Sequence, residues 1–251
     1  LYFVYISGYQ YHELGIYTQI PLSVIPILGV LFGLHRAKQW GVHKSVMGRA
    51  LLSLSLGMIV WGVALGMWTY YFWVEATLPY PSLADYVFIW SPPLWTLGLI
   101  FLSKVVGAPL AFRNAKESIL GLVVTLVVAV VSYYILVVIG HDNVLSFPED
   151  TLTQTFFSYA YTVEILVVVV FVGATLSFSR KYLGGKFKSA VLQLFIGFFI
   201  HFLAVFFFVY TIAQGTYFNG NIADILFTIA VYLESLGIIN LDPKLATNDR
   251  K

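Results

Sequence analysis

Glu164, His201 and Glu234 are the side chains in this chain most able to do chemistry, because each lies inside a long apolar run: "YTVEILVVVV", "FFIHFLAV" and "AVYLESLGII". Ionisable groups placed so deep among apolar residues are functional-site hypotheses by default. A carboxylate, imidazole, carboxylate set suits a proton relay, a polar ligand, or a metal held by one imidazole and two carboxylates. The competing reading makes both glutamates neutral or hydrogen-bonded to neighbouring helices, with His201 a packing residue. Spacing does not show that the three face one another, so all these readings stay open. A second candidate is aromatic. Trp61, Trp68, Tyr71, Trp90 and Trp95 could line a pocket for a flat or apolar ligand such as a quinone, pigment or lipid tail, or simply pack and anchor.

Both sets need elements to hold them, and the composition says which. A chain that is 59% hydrophobic and only 10% charged lacks the polar surface of a soluble domain, so it is a multi-pass membrane protein. Nearly uncharged runs fall at Ile16 to Leu34, Ala50 to Val74, Tyr86 to Ser103, Ser118 to Gly140, Thr151 to Ser179, Ser189 to Tyr217 and Ile225 to Asn240. A helix needs roughly 17 to 25 residues to cross the hydrocarbon core, so these predict seven transmembrane helices in an all-α integral membrane fold. They do not alternate in polarity, which excludes a strand barrel. On such helices, at about 1.5 Å per residue, Glu164, His201 and Glu234 all fall near the bilayer middle.

The 14 basic residues sit in every second connection. Arg36, Lys38, Lys44 and Arg49 follow the first run, Lys104, Arg113 and Lys116 the third, Arg180, Lys181, Lys186 and Lys188 the fifth, and Lys244, Arg250 and Lys251 the seventh. By the positive-inside rule the amino terminus is outside and the carboxyl terminus cytoplasmic. The opposite side carries Glu13, Glu75, Asp85, Asp142, Glu149, Asp150 and Asp224, with the aromatic cluster Trp68 to Trp73 suited to an interfacial belt. The expected location is the cell membrane.

An internal repeat is also legible. "SLADYVFIWSPPLWTLGLI" from Ser82 matches "NIADILFTIAVYLESLGII" from Asn221 at a constant offset of 139, pairing Asp85 with Asp224, Phe88 with Phe227 and Gly98 with Gly237. "YTQIPLSVIPILGVLFGLHR" from Tyr17 matches "YTVEILVVVVFVGATLSFSR" from Tyr161. The expected organisation is a parallel 3+1+3 arrangement: a first three-helix repeat over residues 1–104, a linker helix in 105–150, a second repeat over 151–241, and a short cytoplasmic tail, 242–251. The positions matching Glu164, His201 and Glu234 in the first repeat are Ile20, Gly62 and Trp95. Ser82 with Asp85, and Asn221 with Asp224, each have the form of a capping box, so the two aspartates are expected to be structural helix caps. Pro92 and Pro93 are expected to kink the third helix and leave carbonyls free near the midplane.

At Pro81, Ser82, Ala84, Asp85, Pro93, Leu94, Gly98 and Leu99 the sequence resembles the multi-span membrane input regions of prokaryotic histidine kinases and diguanylate cyclases. The resemblance covers about one helix and its entry. It implies a sensor whose output domain, normally a cytoplasmic kinase or cyclase, lies on a partner, because the chain ends about ten residues after its last span. The 3+1+3 order also looks like that of the small sugar-transporter and Pro-Gln-loop families, although Gln19, Ile20, Pro21 is not their signature. Seven spans are similar in number to microbial rhodopsins, but the seventh run has no lysine for a retinal Schiff base. A bis-histidine b-type haem lacks a second deep histidine. His35 and His43 read as basic-loop residues, His141 as an outer-loop residue, and His12 with Glu13 as interface residues that could approach Asp85.

No phosphate loop, zinc-protease motif or nucleophile elbow is present, and with no cysteines there are no thiolate sites. The basic loops are explained by topology and anionic lipid, so no nucleic-acid partner is implied. The expectation is a non-enzymatic membrane module of sensor or interaction type, with a membrane-protein or cytoplasmic signalling partner. Its alternatives are a small-solute or proton-coupled transporter and an accessory subunit of a larger membrane complex.

Overall fold

The computed structural model describes residues 12–74, 80–111, 113–179 and 185–247; the side chains at 12–16, 72, 111, 186, 246 and 247 lie outside this description too. The expectations placed on Glu13, Glu75, Arg180, Lys181, Arg250 and Lys251, and on an approach of His12 to Asp85, fall on what is not described. Among the described residues every regular element is a helix. Seven of them are long and apolar enough to cross a membrane: span 1 (Tyr17–Gln39), span 2 (Val46–Tyr71), span 3 (Leu83–Val105), span 4 (Ala115–Gly140), span 5 (Leu152–Ser179), span 6 (Lys188–Ala213) and span 7 (Ile222–Asn240).

The helices reach further than the apolar runs. Span 1 continues through His35, Arg36 and Lys38, which therefore ride on a helix end and not in a loop. Long basic side chains can extend from such an end toward water. His43 sits in the short 3-10 turn Val42–Lys44 that joins spans 1 and 2. Spans 3 and 7 gain their capped first turns and so become long enough to cross.

Spans 1, 2, 3, 5, 6 and 7 form a ring, each packed on the next, with span 7 returning to span 1. Span 4 stands outside, against span 5 and, through its last turns, span 6. Burial agrees: an 18-residue apolar stretch of span 2 is 61% buried but that of span 4 only 17%, and Ile119, Leu122, Leu126, Val127 and Val130 of span 4 face outward. A helix apolar all round is stable on the rim of a bundle when its surroundings are lipid. The main core joins Leu51, Leu54, Met58, Trp61, Trp95, Leu99, Val168, Leu194, Phe198 and Val231, and a smaller cluster of Leu136, Ile165, Val169 and Phe202 ties span 4 to spans 5 and 6.

Close helix approach is bought by glycine. A Cβ on Gly98 would strike Leu54, and one on Gly237 would strike Leu194, in each case including the backbone nitrogen of the leucine. On span 1, Gly29 abuts Ser235 of span 7 and Gly33 abuts Ser55 of span 2.

Span 3 differs from expectation. It breaks at Ile89 and Trp90, between helices Leu83–Phe88 and Ser91–Val105, and Pro92 and Pro93 occupy the first turn of the second helix. Proline is well placed there, since those amides need no intrahelical partner. The carbonyls that two prolines cannot serve, on Phe88 and Ile89, thus lie toward the Ser82 end of the span and not at its middle.

Candidate functional site

Span 6 carries His201 on its inner face and span 7 presents Glu234 to it, because Gly197 leaves room: a Cβ there would come 2.8 Å from Glu234 Cγ and 2.9 Å from its backbone nitrogen. His201 Nδ1 lies 3.2 Å from Glu234 Oε1, with the two side chains 3% and 0% exposed. Three aromatic rings surround the imidazole edge to face: Trp95 at 5.0 Å, Phe227 at 5.2 Å and Trp61 at 5.4 Å. The pair is thus a polar centre inside an aromatic wall supplied by spans 2, 3 and 7. Glu234 Oε2 and Trp95 Nε1 are buried there without a hydrogen-bond partner.

Glu164 does not join them. It is half-buried on span 5, makes no hydrogen bond or ion pair with His201 or Glu234, and its Oε2 is buried without a partner. The triple Glu164, His201, Glu234 site is therefore reduced to a pair, and among the described residues no three His, Cys, Asp or Glu side chains are grouped to hold a metal ion. The reason is rotation about the helix axis: span 5 turns Ile165 and Val169 toward Phe202 of span 6, whereas Glu164 follows Tyr161, the partner of Asp85 on span 3, by about one turn.

The aromatic set also divides. Trp61 and Trp95 are buried against His201, while Trp68 packs on Phe208 and Trp90 is 64% exposed. Tyr71 lines a shallow groove with Val63, Gly66, Met67, Tyr70 and Leu83 on the outside of spans 2 and 3. The groove that Tyr71 lines includes none of the four tryptophans.

The capping carboxylates bind across the ring as well as within their own turns. Asp85 Oδ2 accepts from the backbone N–H of Ser82 at 2.6 Å and from its hydroxyl at 2.7 Å, while Oδ1 accepts from the Tyr161 hydroxyl of span 5 at 2.8 Å. Asp224 departs from the reciprocal box. Asn221 Oδ1 accepts from the N–H groups of Ala223 and Asp224, but the Asp224 carboxylate reaches back to the N–H of Gly220 at 2.6 Å and takes Gln19 Nε2 of span 1 at 2.9 Å. Gln19 carried no functional expectation. In the repeat alignment it falls opposite Val163, so the sequence held no signal for it.

At the other end of the ring, Arg36 Nε donates to the Ile239 carbonyl at 2.8 Å and its guanidinium pairs with Asp242 at 2.9 Å. Trp40 Nε1 donates to the Leu241 carbonyl at 2.8 Å. These bonds satisfy the free carbonyls that end span 7. Off the spans, His141 lies 3.4 Å from the Thr162 hydroxyl, and burial pushes its pKa below the usual value.

No family model, curated protein or solved structure matches this chain.

Proposed function

We propose that the chain is a non-enzymatic, multi-pass module of the cell membrane, of sensor type, built from two parallel three-helix repeats, with its amino terminus outside. In this reading the His201–Glu234 pair is the responsive joint between the repeats. The observation that carries it is that the imidazole of the second repeat is held by Trp61 and Trp95 of the first.

Matched contacts support the duplication. Gly98 meets Leu54 as Gly237 meets Leu194. A Cβ on Gly57 would strike the Trp95 side chain and lie 3.1 Å from the Ser91 carbonyl; one on Gly197 would strike Glu234 and lie 3.1 Å from the Ala230 carbonyl. Spans 3 and 7 then correspond at the offset of 139 and spans 2 and 6 at 140, which pairs His201 with Trp61 in place of Gly62. An aromatic pair in one repeat stands opposite its ionisable replacement in the other. Across the ring, span 5 bonds Asp85 of span 3 as span 1 bonds Asp224 of span 7.

Adding or removing one proton at a pair so enclosed changes its charge where the effective dielectric is low, and the helices must adjust. Span 7 passes that adjustment to its Arg36-bonded end, where a partner would read it. The test uses the protein in nanodiscs and records tryptophan emission from pH 4 to 9. Wild type is expected to show a step, from imidazole beside Trp61 and Trp95, that is lost in His201→Phe; the same curve in both proteins would remove the joint. A proton-coupled transporter is the second reading, favoured by the placement of the pair between parallel repeats, and proton-dependent solute flux in liposomes would establish it instead.

A further inference from the structure

Asp85 and Asp224 stand in the first turns of spans 3 and 7, but their carboxylates are not equally served. Asp85 takes three donors at 2.8 Å or less, two from Ser82 and one from Tyr161. Asp224 takes the Gly220 N–H at 2.6 Å and Gln19 Nε2 at 2.9 Å, both on Oδ2. Its Oδ1 has only the Tyr217 hydroxyl, at 3.5 Å, and that hydroxyl has one proton to divide between Oδ1 and Asn219 Oδ1, which lies 3.4 Å from it. Gln19 Nε2 also reaches Asn219 Oδ1, at 3.4 Å. The oxygen of the same amide, Gln19 Oε1, is buried without a partner on a residue 1% exposed.

Three acceptor oxygens, Gln19 Oε1, Asp224 Oδ1 and Asn219 Oδ1, thus belong to one hydrogen-bonded cluster that holds more lone pairs than donors. Asp224 is 3% exposed, and among the described residues no Lys, Arg or His side chain pairs with it. Buried charges are ordinarily paired or bound to a metal ion. Water supplies protons to such a cluster but no balancing charge.

From this cluster we infer a binding site for an alkali-metal cation, held by Gln19 of span 1, Asp224 of span 7, and Asn219 and Tyr217 of the turn between spans 6 and 7. Side-chain oxygens suit a hard cation. A single carboxylate balances a single positive charge, whereas a divalent ion would leave the buried site with a net charge. Asn219 and Tyr217 are half-buried while Gln19, Asp224 and Gly220 are buried, so the turn is the side from which a cation enters. The bound ion fastens the start of span 7 to span 1. The site is ten residues of span 7 from Glu234 and stands independently of the His201–Glu234 joint.

The test follows the thermal midpoint of the protein in nanodiscs as sodium chloride replaces choline chloride at constant ionic strength, which keeps screening fixed. A ligand bound only by the folded state raises the midpoint with the logarithm of its concentration. In wild type a rise of about 3–6 °C is expected for each tenfold increase in sodium above half-saturation. Asp224→Asn should abolish the rise. Asn219→Ala, on the half-exposed turn, should need at least about tenfold more sodium for the same rise, and it carries the test alone if Asp224→Asn does not fold. A wild-type midpoint that ignores sodium, or an unchanged sodium dependence in Asn219→Ala, overturns the site. Stronger stabilisation by calcium than by sodium at equal concentration overturns its assignment to a monovalent ion.

Discussion

His201 Nδ1 and Glu234 Oε1 stand 3.2 Å apart on adjacent helices, and neither side chain is more than 3% exposed. Removing one partner of a buried ionisable pair leaves the other without compensation, at a cost of about 3–5 kcal/mol, whereas an apolar pair of similar volume is often neutral. Glu234→Leu and His201→Phe should each lower stability in detergent by about 3 kcal/mol, and the double variant by much less than their sum. Strict additivity in chemical unfolding would show that the two groups do not interact.

Gly197 and Gly66 make opposite predictions for the same substitution. Gly197→Ala drives a methyl into the Glu234 backbone and the Ala230 carbonyl, and overpacking of that kind costs about 1–3 kcal/mol. A Cβ on Gly66 meets nothing within 4 Å, so Gly66→Ala should gain about 0.5–1 kcal/mol from helix propensity. Thermal midpoints of the two variants that move in the same direction would contradict this packing.

Tyr161 is the cross-ring partner of Asp85. Loss of a hydrogen bond to a charged acceptor costs about 1.5–3 kcal/mol, so Tyr161→Phe should destabilise by about that amount in wild type. In an Asp85→Ala background, already weakened by about 1 kcal/mol through loss of the cap, its effect should shrink to that of the remaining bond to the residue 85 carbonyl, about 0.5–1.5 kcal/mol. An undiminished effect in that background would break the proposed contact.

His141 gives the acid response a sign. Its folded pKa is below the ordinary 6.5 because of burial, so the unfolded chain binds the proton at higher pH than the folded one does. Stability from this group is therefore complete above about pH 6.5 and is lost as the pH falls below it. Replacement by asparagine should flatten that part of the stability profile measured between pH 7 and 5. An unaltered slope would exclude His141 as a source.

Much of the molecule is readable before folding because a bilayer imposes simple rules on sequence. Seven apolar stretches of sufficient length, and no alternation of polarity, were enough for an all-helical multi-pass chain. The first-turn role of Asp85 was equally legible, since a capping box is local: its donors lie within three residues. The first-turn part of its twin is local as well, Asp224 accepting from the Gly220 N–H, but the bonds that tie the two aspartates to Tyr161 and Gln19 were not legible, because those partners lie far away in sequence.

Depth along a helix, likewise, is a matter of counting residues, and it brought Glu164, His201 and Glu234 to one level. Whether they meet depends on rotation about each helix axis and on which helices are neighbours. Those follow from packing: Gly197 admits Glu234 beside His201, Gly57 admits Trp95, and the ring places span 5 against span 3. Composition and the length of the apolar runs alone thus determined that seven helices are long and apolar enough to cross a membrane and where each one begins to be apolar. Only the tertiary structure decided that two of three buried ionisable groups form a pair within an aromatic wall, because azimuth and neighbour choice are set by many distant glycine and side-chain contacts at once.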